Sequence, residues 1–385
     1  MTPVESPRVP ALDGLRGVAI LMVLFFHATV VEPEGALEGL VYGAFRNFGW
    51  AGVDLFFVLS GFLITGVLLD AKRGPRPLRS FYARRVLRIF PVYYGFLALA
   101  FLLAPAFAGD AFRPGDDAVW YWLYLQNFAT AAAGDWSHGR FLNLFWSLAI
   151  EEQFYLLWPW VVLRCDLATL RRVCVAAFAA SLALRCALVL HDAAPVAVYV
   201  LTPARLDGLA AGAFVAVAAR QSGGLAVWQD VARRVAWGCA AGVAGLVVWQ
   251  RGFDYALPGT ATLGLGLLAL GFAAALVRLQ DGGAPSATRR LIEGRGLRLF
   301  GRTSYALYVI HQVVLVVATR WLAEQVFARH WPDAPLLALQ VAVWTTAIGG
   351  SLLLAMASWR FVEAPILGLK RHFPYTREAA GSGPG

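Results

Sequence analysis

The sequence predicts an all-α, polytopic membrane helix bundle of about ten transmembrane helices, plus one re-entrant or interfacial segment over 118–134. Three observations carry this. Of 385 residues, 59% are hydrophobic and only 15% charged, and the mean hydropathy of +0.61 lies far outside the usual soluble range. Nearly uncharged runs long enough for the ~20 residues of a membrane helix recur from end to end. The connections between them alternate in the sign of their charge. The net charge of +9 therefore reads as positive-inside sorting together with an anionic cytosolic ligand, not as nucleic-acid binding.

Crossings are predicted near 12–31, 51–69, 88–106, 144–163, 173–190, 203–219, 235–250, 259–277, 303–322 and 337–359. The first run is followed by His-Ala-Thr-Val-Val-Glu-Pro, without a small-residue cleavage site, and reads as a retained span. Basic connections lie at 70–88, 164–172, 220–234 and 278–302, the last with six arginines; Lys370 and Arg371 continue the pattern. Acidic ones lie at 32–48, 107–117 and 324–335. Placing every basic connection in the cytosol requires 118–134 to enter and leave on one side, and its Trp-Tyr-Trp-Leu-Tyr cluster suits a membrane interface. Both termini are then cytoplasmic. One transmembrane domain over 8–370 and a disordered tail over 371–385 complete the expected organisation. Cys165, Cys174, Cys186 and Cys239 have no CxxC spacing and lie in or beside apolar helices, so free thiols are expected and no metal site.

The first span, LDGLRGVAILMVLFFH over 12–27, carries Asp13, Arg16 and His27. Arg16 and His27 stand eleven residues apart, close to three turns, so they share a face roughly 16 Å apart along the axis. Alone, Asp13 and Arg16 would read as interfacial anchors and His27 as a packed core histidine. Further ionisable residues inside other spans change the balance: Asp54, Glu151, Glu152, Arg205, Asp207 and His311. Charges at similar depth on different helices imply a polar cavity, because each is costly against lipid. Arg185 and Arg320, near span ends, read as snorkelling.

Local patterns sharpen the cavity. Ser147, Glu151 and Tyr155 recur every four residues and share a helix face, as do Ser304, Tyr308 and His311. Arg205 and Asp207 fit either a structural ion pair or substrate binding. Asp54 precedes a Ser60-Gly61 pair that reads as helix packing, since small residues permit close approach. No GxSxG elbow surrounds Ser60, which makes it a poor acyl acceptor. Arg84, Arg85 and Arg88 stand at a helix start, where they serve either as a topological signal or as a phosphate site.

These marks, in this order, resemble the acyltransferase 3 family of bacterial membrane O-acyltransferases, which modify sugars of surface polysaccharides, lipids and secondary metabolites. The resemblance covers roughly residues 8–370. It rests on Leu12-Asp13-Gly14-Leu15 with Arg16 and His27; Gly52-Val53-Asp54-Leu55-Phe56-Phe57-Val58-Leu59-Ser60-Gly61-Phe62; and Arg84-Arg85 with Arg88-Ile89 and Pro91-Val92-Tyr93. It continues through Trp146-Ser147 with Glu151, Arg205-Leu206-Asp207, Ser304-Tyr305 with Tyr308 and His311, and Glu363-Ala364-Pro365. It implies a cytosolic acyl-CoA, most simply acetyl-CoA, as donor and a carbohydrate hydroxyl as acceptor. His27 would be the general base and Glu151 its orienting partner, with acylation of His27 itself the alternative course. Arg16, Arg84, Arg85 and Arg88 would hold the CoA. Asp54, Ser147, Tyr155, Arg205, Asp207, Tyr308 and His311 would line the acceptor site. The competing reading is a transporter or flippase for a polar, sugar-containing substrate, with no covalent step.

Overall fold

A computed structural model describes residues 9–103, 118–136, 142–280, 285–331 and 334–375. The described residues form helices and no strands. In chain order these are α1 (Pro10–Ala28), α2 (Ala36–Phe48), α3 (Gly52–Ala71), α4 (Pro77–Ala98), α5 (Ala118–Trp122), α6 (Gln126–Ala133), α7 (Trp146–Arg164) and α8 (Leu167–Leu190). There follow α9 (Pro195–Val200), α10 (Leu206–Ala218), α11 (Gln229–Gln250), α12 (Leu265–Gln280), α13 (Ser286–Ile292), α14 (Arg295–Trp321), α15 (Leu336–Ser358) and α16 (Ala364–Leu367).

Seven helical segments among the described residues are long and apolar enough to cross a membrane, which makes this a multi-pass membrane bundle. They include α1, α3, α8, α11, α12, α14 and α15. The other three expected crossings fall on α4, α7 and α10. The first carries Arg79, Arg84, Arg85 and Arg88, the second Glu151, Glu152 and Arg164, and α10 has 13 residues. The count of ten therefore rests on charge alternation alone.

Segment 118–134 is two short helices broken at Tyr124, whose φ is +55°. The longer piece has eight residues, about 12 Å at 1.5 Å per residue, against the ~30 Å of a hydrocarbon core. Neither piece is long enough to cross. Its amides are tied inward instead: Gln126 donates to the Phe145 carbonyl at 2.6 Å and Asn127 to the Val200 carbonyl at 3.1 Å. The acidic connection 107–117, residues 137–141 and the tail from 376 onward lie outside the described residues.

Two glycine-mediated crossings set the frame. A Cβ on Gly301 would overlap the Asp13 carbonyl and one on Gly17 the Leu297 carbonyl, so α1 and α14 touch backbone to backbone. Gly61 meets the Leu209 carbonyl and Gly212 the Val58 carbonyl, which joins α3 to α10 in the same way. Buried Gln340 on α15 latches the chain just past His27. Its amide oxygen accepts from the Val30 and Val31 amides, both at 3.0 Å, and its nitrogen donates to the Ala28 carbonyl at 2.7 Å. These contacts hold both ends of α1, and with them Arg16 and His27, against α14 and α15. All four cysteines are free thiols, with Cys174 and Cys239 buried.

Candidate functional site

Two chambers, each lined in part by α1, adjoin at residues of α3 and α14. The arginine chamber is lined by Arg16 of α1, Ser60 of α3, Arg85 and Arg88 of α4, and Glu151, Glu152 and Tyr155 of α7. The histidine chamber is lined by His27, Trp50, Trp136, Trp146, Tyr199 and Tyr255, with Asn143 and Gln312. The empty space within them, counted out into their mouths, is about 820 and 940 Å³. Val53 and Tyr308 line both. At this junction the Tyr308 hydroxyl lies 2.6 Å from Ser147 Oγ and 3.0 Å from the Leu144 carbonyl.

In the arginine chamber the eleven-residue spacing has its expected effect at one end: Arg16 faces the cavity, and its Nε is buried without a hydrogen-bond partner among the described residues. Arg85 lies over the Tyr155 ring at 5.2 Å from the centroid. Arg88 lines the same space. Three guanidiniums thus converge on one space, an arrangement suited to phosphate or carboxylate oxygens. Ser60 donates to Glu151 Oε1 at 2.6 Å. Its one proton being committed there, the Tyr155 hydroxyl 2.7 Å away donates to Ser60. Ser60 therefore builds the chamber, while its neighbour Gly61 does the helix packing.

The histidine pair defines the other chamber. His311, 2% exposed, points Nδ1 at the Leu307 and Tyr308 carbonyls, 3.0 and 2.9 Å away. Carbonyls only accept, so this nitrogen carries the proton. Neutral His311 then presents a lone pair on Nε2, and His27 Nδ1 lies 3.1 Å from it. His27 must donate across that contact, which fixes its tautomer and leaves its own Nε2 unprotonated.

Several expected site residues sit elsewhere. Glu151 lies in the arginine chamber, and the side chain within hydrogen-bond reach of His27 among the described residues is His311. Arg84 turns away from both chambers: it donates to the Lys370 and Phe373 carbonyls at 3.3 Å and lies 4.9 Å from the centroid of the Tyr375 ring. Adjacent helical residues diverge by about 100°, so Arg84 cannot share the direction of Arg85. Asp54 pairs with Arg205, and Asp207 with Arg185 at 2.8 Å. Both arginines are fully buried, so Arg185 is an interior ion-pair partner and not a snorkelling residue. None of these four lines either chamber. Arg205 instead stands behind the histidine chamber, its guanidinium 4.6 Å from the Tyr199 ring and 5.6 Å from that of Trp146. Of the other residues expected at the acceptor site, Ser147 and Tyr155 line the arginine chamber, Tyr308 lines both chambers, and His311 reaches the histidine chamber only through its contact with His27.

The acyltransferase domain family matches residues 9–360, and the chain belongs to that family. It is 35% identical over 160 residues to peptidoglycan O-acetyltransferase OatA of Listeria monocytogenes, across 39% of this chain and 24% of that protein. It is 26% identical over 377 residues to O-acetyltransferase OatA of Staphylococcus aureus, across 94% of this chain and 58% of the relative. The chain thus spans between a quarter and somewhat over half of the length of these relatives. No solved structure matches.

Proposed function

We propose that the protein moves an acyl group, acetyl in the simplest case, from cytosolic acyl-CoA to a hydroxyl of a cell-envelope carbohydrate. The observation that carries this is the juncture of an arginine-lined chamber and a chamber holding a tautomerically fixed histidine. In this reading the 8–370 domain sits in the inner membrane with both termini cytoplasmic. The arginine chamber takes the donor, Arg16, Arg85 and Arg88 meeting its anionic groups, and the thioester reaches the Tyr308–Ser147 junction. The acceptor enters the histidine chamber, and its hydroxyl proton passes to His27 Nε2 as the oxygen attacks the thioester carbonyl. The imidazolium so formed is stabilised by donating from Nδ1 to His311. The tetrahedral intermediate then collapses, the C–S bond breaks, and the thiolate recovers the proton from Nε2, yielding an ester and free CoA. General-base assistance of this kind is worth about 10²–10⁴-fold.

Support comes from family membership, from relatives whose names specify O-acetyl transfer to peptidoglycan, and from the tautomer argument. The test is release of CoA from acetyl-CoA by purified protein supplied with peptidoglycan glycan chains, with ester formation followed by mass spectrometry. Uptake of the glycan into vesicles without CoA release would favour a transporter instead.

A further inference from the structure

We infer that the histidine chamber is a subsite for uncharged pyranose rings, gripped by stacking against its tryptophan and tyrosine walls and by the amide oxygens of Asn143 and Gln312. This rests on the transferase reading only for the statement that the bound ring is the acceptor; the binding chemistry stands separately.

The walls are aromatic and held in place. Tyr199 and Tyr255 stack with centroids 4.4 Å apart, and Trp146 lies 4.6 Å from Tyr199. Trp136 donates from Nε1 to the Tyr255 hydroxyl at 2.7 Å, and Trp50 donates to the Phe253 carbonyl at 3.2 Å. With Arg205 behind Tyr199 and Trp146, these rings are fixed before anything binds. Ring faces not taken up by these contacts attract the weakly positive C–H face of a sugar, and the Tyr255 hydroxyl, which accepts from Trp136, keeps its own proton to donate.

Two orphaned atoms point to the same ligand. Asn143 Oδ1 and Gln312 Oε1 are buried without hydrogen-bond partners among the described residues, and both side chains line the chamber. Asn143 spends its amide nitrogen on the Trp136 carbonyl at 2.9 Å, which aims the oxygen. Amide oxygens can only accept. A lipid tail would leave both unsatisfied, at a cost for each, whereas sugar hydroxyls would donate to them. Charge completes the selection. The lining residues include no Asp, Glu, Lys or Arg, and the nearby Arg205 is already paired with Asp54. A phosphate or carboxylate would therefore enter unpaired.

The test is calorimetric titration of the purified full-length chain in detergent, without acyl-CoA, using the N-acetylglucosamine tetramer and tetragalacturonic acid as neutral and anionic probes. The neutral tetramer should bind saturably and with little dependence on salt. Gln312→Met, which keeps the shape and removes the acceptor, should weaken it about fivefold. Trp136→Leu should weaken it about tenfold or more. A melting curve for each variant checks folding, and Gln312→Met breaks no internal bond seen here. The inference is overturned if the neutral tetramer shows no saturable binding, if the anionic one binds as tightly, or if both variants match wild type. If wild type binds the tetramer yet releases no CoA when acetyl-CoA is added, the transferase reading fails and the subsite stands. CoA release with variant affinities equal to wild type sinks the subsite alone.

Discussion

Removing His311 should slow transfer without emptying either chamber. His27 Nδ1 has one side-chain acceptor among the described residues, His311 Nε2 at 3.1 Å. In the ground state that contact selects the tautomer; in the transition state it faces a developing imidazolium. Hydrogen bonds to charged groups contribute about 1.5–3 kcal/mol. At 1.36 kcal/mol per tenfold, His311→Leu should lower kcat by about 10- to 160-fold. His311→Gln can present an amide oxygen to Nδ1 and should recover part of the loss. The assay is CoA release by detergent-purified variants at saturating acetyl-CoA, each paired with a melting curve. Because His311 is buried, His311→Leu also reports on packing, and the Gln variant separates the two effects. A folded His311→Leu protein with wild-type kcat would refute the orienting role. So would a folded Gln variant as impaired as Leu.

Other perturbations test the placement of the remaining residues. Arg88→Ala should raise the acyl-CoA dissociation constant by equilibrium binding, and Arg88→Lys should do so less, because the charge remains while the planar fork is lost; equal affinities in all three would remove the donor site from the arginine chamber. Arg84→Ala should lower the melting temperature, since it releases the 368–375 segment, and should leave acyl-CoA affinity alone. Asp54→Ala leaves Arg205 buried and unpaired, a cost of about 3–5 kcal/mol, and should appear as a large fall in melting temperature; a raised acceptor KM in a fully stable protein would mean that Asp54 binds substrate. Gln340→Leu frees the amides of Val30 and Val31 and should cost about 1–3 kcal/mol for the buried Val31 amide left unsatisfied, with kcat falling further than KM changes because the His27 end of α1 is loosened.

Much of the scaffold was legible because periodicity and charge report it directly. The shared face of Arg16 and His27, and that of Ser147, Glu151 and Tyr155, follow from 3.6 residues per turn alone. Segment 118–134 was legible as a non-crossing element from loop charge, although the break at Tyr124 is a backbone event with no Gly or Pro to mark it. What sequence could not supply was which helices face one another. His27 and His311 are 284 residues apart, and the sequence reading offers Glu151, a carboxylate at similar depth, as the partner of His27. The same ambiguity let Asp54, Arg205 and Asp207 pass for cavity residues, when burial demands that they pair. Ser60 reads from sequence as helix packing and a poor acyl acceptor, and its bond to Glu151 has no sequence signal. The walls of the histidine chamber come largely from between the spans: Trp50, Trp136, Tyr199 and Tyr255 lie in short helices or connections, where no periodicity assigns a face. Trp146, beside Ser147, was the one signal available there.

The most direct measurement is turnover by His27→Ala. With acetyl-CoA and peptidoglycan glycan chains, CoA release and ester formation should both fall by about 10²–10⁴-fold relative to wild type, while acetyl-CoA affinity and melting temperature stay close to wild type. A stable His27→Ala protein that still acetylates the glycan at near wild-type rate would show that the chemistry is carried out elsewhere in the chain.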